Sequence, residues 1–338
     1  MVGFGESFFA LRTASVAGPR AAKTIVDMLS RRNVRIKVMQ LLYAQRVDAE
    51  VTPARTLRAY DRMAEQSYLT LLFDLYLFGC VLAEATADLD RRGKRLRPSA
   101  SDRAFRAHLA TNPLTRALAA SPELRDQGRK HEFAELVDAE RLRAFYEAAT
   151  AWEGYAAYAE QAEPSDDAHL GALLKCHKAL MDHEGYNDYL EDRFGRWDED
   201  KSLVLGAAKK VLKALPQSAL VLSTYRPDDE TRVDFGEHLL RYVLEHDAEL
   251  QAHIEPVLEN WDAARVALLD MILIKMALSE LLTFARIPPK VTLNEYVELA
   301  KLYSTDKSKE FINGILDRLL HSLRSEGLIV KEGRGLID

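Results

Sequence analysis

The chain has 338 residues, 48% of them hydrophobic and 29% charged, and its formal net charge is -6. That length supports roughly one to three domains with a sizeable core, and the composition excludes global disorder. The acidic total does not exclude a nucleic-acid partner, because phosphates meet a local cationic face rather than an average.

Residues 1–27 carry Arg12, Arg20 and Lys23 but no long apolar core, so they do not read as a signal peptide. They are expected to be a loosely ordered extension, or to precede a working start at Met28. Ser30 to Gln45, SRRNVRIKVMQLLYAQ, then reads as a helix capped by Ser30, whose oxygen can accept from a first-turn N–H. Helical spacing makes Val34, Val38, Leu41 and Leu42 an apolar stripe and puts Arg32, Arg35, Tyr43 and Arg46 on an adjacent arc. From Met28 to Arg46 there are five Lys or Arg and no Asp or Glu, an imbalance that demands an explanation in an acidic chain.

A link at Asp48, Glu50 and Pro53 leads into a long periodic stretch, 54–92, with Gly79 as a candidate break. Its segment Tyr68 to Ala85 is the most membrane-like in the chain, but Asp74 in its first half marks a buried helix instead. The run DRRGKRLRPSASDR, Asp90 to Arg103, is a basic exposed link: either a second phosphate contact or a solvated loop. Pro113 and Pro122 divide 104–128 into short helices, and 131–162, 166–183 and 200–213 are helical, with a polar link at 217–231.

In the last third, 234–260 reads as one helix that Pro256 kinks or restarts, and 263–284 is apolar nearly all round, as a central helix would be. Thr292 and Glu295 have the spacing of a capping box for a helix over 293–303. A final helix covers about 307–325 and stops at Gly327. The tail LIVKEGRGLID reads equally as a short extended segment or a mobile one. No strand pattern alternates with the helices, so the fold class is all-α.

Few residues suggest catalysis. His177, Asp182, His183, Glu184, Asp188, Glu191 and Asp192 cluster in sequence, but no HExxH or paired Glu-x-x-His element accompanies them. Cys80 and Cys176 are too few for a zinc motif and read as buried thiols of a cytoplasmic protein. Gly3 and Gly5 do not open a phosphate loop, and Ser7 has no visible triad partners. No cofactor, metal or enzymatic activity is expected. The basic helix differs: arginine makes forked bonds to phosphate, and Tyr43 can stack on an unpaired base.

The stretches SRRNVRIKVMQLLYAQ and ILIKMALSEL…IPPKVTLNEYVELAKLYSTDKSKEFINGILDRL resemble the transcription antitermination factor NusB family, in its order and spacing. The resemblance covers roughly a third of the chain. It implies two small helical bundles, here enlarged by a central helical region over 48–232 and completed by a C-terminal bundle over 233–326, with 327–338 as a tail. It also implies binding of single-stranded boxA RNA together with the ribosomal protein NusE, and indirect contact with other Nus factors and RNA polymerase. Carried over, Arg31, Arg32 and Arg35 meet RNA phosphates, Gln40 and Tyr43 offer hydrogen bonds or stacking, and Lys309 and Phe311 line the same surface. Asp270 matches an acidic position on the NusE-facing side, supported by Glu280. Lys307 departs from the acidic residue of a well-known form, and Asn313 and Gly314 suit a close helix approach.

The expectation is therefore a non-enzymatic, cytoplasmic, all-α RNA-binding antitermination factor, monomeric rather than oligomeric, with no membrane partner. The enlarged centre would cover an oligomer surface of smaller relatives or add a protein contact. The rival reading is a helical protein-interaction scaffold without specific RNA binding.

Overall fold

The computed structural model describes residues 29–216, 222–258 and 266–336. All regular elements among them are helical, as the sequence pattern requires. The extension over 1–27 lies outside the described residues. The chain divides into two compact units, one of Leu29–Glu65 with Pro227–Asp338, the other containing Gln66–Arg226. Residues 48–65, grouped with the central region on sequence grounds, fall in the first of these.

Helix α1 spans Arg31–Val47 and α2 spans Pro53–Gly93. Ser30 caps α1, accepting from Asn33 N at 3.3 Å. Val34, Val38, Leu41 and Leu42 are buried, as their spacing predicts. Helix α2 runs unbroken through Gly79, whose neighbours Phe78 and Cys80 are buried in the core. It is long and apolar enough to cross a membrane, but 83% of its most apolar window is buried inside the protein.

Within Gln66–Arg226 follow α3 (Ala100–Ala104), α4 (His108–Thr111), α5 (Pro113–Ala120), α6 (Pro122–Lys130), α7 (Phe133–Leu136), α8 (Ala139–Ala149) and α9 (Tyr155–Glu160). The longer α10 (Asp166–Met181), α11 (Glu184–Phe194) and α12 (Trp197–Ala214) follow, and a 3-10 turn at Leu222–Tyr225 comes last among the described residues of that unit. Pro113 and Pro122 start helices rather than only ending them, each behind a side-chain cap from Asn112 or Ser121. A buried polar knot ties α2 to α10 and α11: Asp74 lies 2.8 Å from His177 Nε2 and accepts from the Tyr186 hydroxyl at 2.8 Å. His183 caps α11, Glu191 accepts from Trp197 N, and Asp182, Glu184, Asp188 and Asp192 are exposed. The cluster seen in sequence is thus dispersed into separate structural roles. Cys80 and Cys176 are free and buried, and burial pushes both thiols up to about 12.

The first unit resumes with a π-helical stretch, Glu230–Glu237, then α13 (His238–Glu245) and α14 (Asp247–Ile254). One helix was expected over 234–260; a break at His246 and a 3-10 turn from Glu255 divide it. Gly236 is the point of closest approach: a Cβ there would sit 1.8 Å from the Tyr60 hydroxyl and 2.5 Å from Val34. Helix α15 (Leu268–Thr283) is buried around its circumference from Ile272 to Leu281. Helices α16 (Pro289–Tyr303) and α17 (Ser308–Ser325) pack on it, and Gly327 ends α17 with φ +70°. The tail docks on the α15–α16 connection, where Glu332 N donates to Ala285 O at 3.0 Å.

Candidate nucleic-acid interface

Helix α1 carries most of the candidate residues. Arg32 and Tyr43 lie about three turns apart and nearly on one line, ~16 Å along the axis. Tyr43 is 45% exposed, beside an exposed Val47. Gln40 is half-buried.

The arginines do not form the uniform cationic strip that their spacing suggested. Arg35 is 3% exposed and lies in the core, with Nε and Nη2 donating to the two oxygens of Glu280 at 2.8 and 2.7 Å. Thr292 and Tyr296 also donate to Glu280, at 2.8 and 3.1 Å, so its carboxylate is fully engaged. The Arg35 guanidinium stands 5.0 Å from the Phe235 ring centroid and 5.7 Å from that of Tyr296. Burial opposes its charge, but the hydrogen bonds and charge of Glu280 outweigh that, and its pKa rises. Arg35 is a structural ion-pair residue, out of reach of a phosphate in this structure, and Glu280, 0% exposed, offers no surface to a protein.

Arg31 and Arg32 remain at the surface. Arg32 makes a forked contact with Glu295, 3.0 Å on both arms, and Arg31 pairs with Glu230 at 3.0 Å. Exposed pairs of this kind are worth ~0–1 kcal/mol, so a phosphate can compete for either cation. Lys37, counted among the cations of this helix, is 3% exposed and not part of its outer face.

Asp270, expected on a partner-facing side, is also internal. It is 5% exposed and its two oxygens lie 2.5 Å from Ser304 Oγ and 2.8 Å from Ser308 Oγ. The carboxylate pins the turn between α16 and α17, as two hydroxyl donors on a buried anion can. The capping box assigned to Thr292 and Glu295 is absent as well. Pro289 begins α16 four residues earlier than expected, leaving Thr292 to Glu280 and Glu295 to the arginines.

The direction of α1 fixes what lies together. Arg35 meets Glu280 near the end of α15, whereas Leu42, Gln45 and Arg46 share a cleft with Ile272 and Lys275 near its start. Asp270 holds Ser308 at that same start. Tyr43 and Lys309 therefore occupy one end of the unit, and Arg31 and Arg32 lie towards the other. Lys307 and Lys309 are exposed and make no ion pair among the described residues, while Phe311 is half-buried against the core. Gly314 has nothing within 4 Å of its would-be Cβ and Asn313 donates to Asp317 at 3.2 Å, so neither mediates the helix approach expected of them.

The NusB family model matches residues 203–321. The transcription antitermination protein NusB of Salinibacter ruber is 41% identical over 132 residues, covering 39% of this chain and 79% of that protein. The namesake from Geobacter sulfurreducens is 39% identical over 115 residues, 34% of this chain and 83% of that protein. The chain belongs to the NusB family. A third NusB, from Chloroherpeton thalassium, is 41% identical over 105 residues, 31% of this chain and half of that protein. No solved structure matches.

Membership of the NusB family places the chain in transcription antitermination, a non-catalytic role. The family match begins after α11, so the added central helices make this protein larger than typical NusB proteins. Sequence reasoning missed three residues that shape the α1 surface: Glu295, Phe235 and Tyr296. For Glu295 and Tyr296 the visible signal was the stretch IPPKVTLNEY, in which Glu295 accepts from Arg32 and Arg35 while Thr292 and Tyr296 donate to Glu280.

Proposed function

We propose that the chain binds single-stranded boxA-type ribosomal leader RNA together with NusE, and so supports transcription of ribosomal RNA operons in the cytoplasm. The observation that carries this reading is the outer edge of α1, where exposed Arg31 and Arg32 and half-exposed Tyr43 follow one another along the axis. A strand running along α1 would set phosphates against the two arginines and a base against Tyr43, and would reach Lys309 and Phe311 beyond it. Gln40 would add a hydrogen bond. Arg35, Glu280 and Asp270 would serve this surface indirectly, by fixing α1 and the start of α17. Other Nus factors and RNA polymerase would be met through the assembled complex, with simultaneous RNA and NusE binding raising the local concentration of each.

The scaffold reading draws on a specific observation, the engagement of Arg31 and Arg32 by Glu230 and Glu295. Titration of boxA RNA and an unrelated strand, each with and without NusE, separates the two. Preference for boxA that strengthens with NusE supports the RNA reading; equal binding of both strands, or none, supports the scaffold.

A further inference from the structure

The basic run after α2 is a second charged surface, in the unit that the family match scarcely touches. Between Asp90 and Arg106 there are seven Lys or Arg and two Asp. The turn is built rather than loose. Ser99 and Asp102 form a capping box at the start of α3, and Asp102 also accepts from Arg95 at 2.6 Å and Arg92 at 3.3 Å. Arg92 in turn lies 4.3 Å from the Phe105 ring centroid. Four donors from Ser99, Arg92 and Arg95 occupy the buried Asp102, and its single charge is shared by two arginines, neither of them Lys94 or Arg97. Lys94 and Arg97 are exposed and make no ion pair among the described residues. Between them Leu96 is fully exposed.

Cations in the last turn of a helix offset its dipole, which accounts for Arg91 and Arg92. It does not account for Lys94, Arg95 and Arg97, which lie beyond the helix end at Gly93. We infer that this turn is a phosphate-backbone contact for single-stranded RNA, with Lys94 and Arg97 meeting phosphates and Leu96 lying against a base. Arginine's planar fork suits a phosphate, and an apolar side chain flanked by cations suits a base and its two neighbouring phosphates. A membrane surface would need several apolar anchors, and the turn offers Leu96 with only a marginally exposed Leu89 behind it. The contact is independent of α1 and reads no sequence.

The test is equilibrium binding of full-length protein to an oligouridylate of about 40 nucleotides, at two salt concentrations. Lys94→Ala with Arg97→Ala is expected to weaken binding about 5- to 10-fold at low salt and to flatten the salt slope by about 1.4, from two phosphates. Leu96→Ser weakens binding with the slope unchanged. All three positions are exposed, so the melting temperature stays at the wild-type value. Unchanged RNA affinity and slope in the double variant, or no RNA binding by the wild type, overturns the inference. So does a loss confined to polyglutamate or to phosphatidylglycerol vesicles, which would identify an acidic protein or a membrane as the partner. Failure of the α1 reading has a different signature: Arg32→Ala with Tyr43→Ala would bind RNA normally while the Lys94 and Arg97 variant would not.

Discussion

Arg35 and Glu280, 245 positions apart in sequence, form a forked ion pair with both contacts under 3 Å in the core of the first unit. Removing one partner leaves a buried charge without its counter-ion, which costs about 3–5 kcal/mol. Arg35→Met and Glu280→Gln are each expected to lower the unfolding free energy of that unit by about this much. The double variant Arg35→Met with Glu280→Met should cost less than the two single losses combined, because neither charge is stranded. Urea denaturation of the four proteins measures it.

Gly236 admits no side chain. An added methyl would collide with the Tyr60 hydroxyl and Val34. Gly236→Ala is expected to destabilise by about 1–3 kcal/mol, as overpacking does. Tyr60→Phe in the same chain removes the nearest atom and should recover part of the loss, read as a partial return of the melting temperature.

Glu295 supplies a pH dependence. Burial opposes its charge, but the Arg32 hydrogen bonds and the charges of Arg35 and Arg32 prevail, and its carboxyl titrates below the ordinary value of 4.5. A lowered carboxyl pKa adds stability above the unfolded-state value, and that stability is lost as pH falls through the folded-state value. Wild type should lose stability more steeply than Glu295→Gln on acidification below about pH 5. Parallel curves for the two proteins would show that Glu295 contributes nothing.

Gly314 sits inside α17 facing open space. Alanine costs a helix interior less than glycine, so Gly314→Ala should stabilise by about 0.5–1 kcal/mol. A matching loss of RNA or NusE affinity would mark the exposed side of α17 as a contact surface that needs a small residue.

The legibility of these features in sequence follows the range of the forces that made them. Val34, Val38, Leu41 and Leu42 were readable because a stripe at helical spacing has one physical outcome, burial. So was Gly327, whose positive φ ends α17. Arg35 was not, since it sits one position from Val34 and its partner lies in another helix. Periodicity cannot separate a solvated arginine from one neutralised by a carboxylate far along the chain. Thr292 and Glu295 show the same limit: their spacing fits a local cap, but Pro289 starts α16 first and long-range donors and acceptors take both side chains. Gln66–Arg226 gave its helices and little else, because motif and resemblance were both sparse there.

Whether α1 holds an RNA strand along its outer edge is read from the affinity and salt slope of boxA RNA, with NusE present, for wild type, Arg32→Ala and Tyr43→Ala. Arg32→Ala is expected to lower the slope by about 0.7, one phosphate on a single strand. Tyr43→Ala is expected to leave the slope intact and to cost about 1–3 kcal/mol, the loss of one stacked base. Wild-type affinity and slope in both variants would contradict RNA binding along α1.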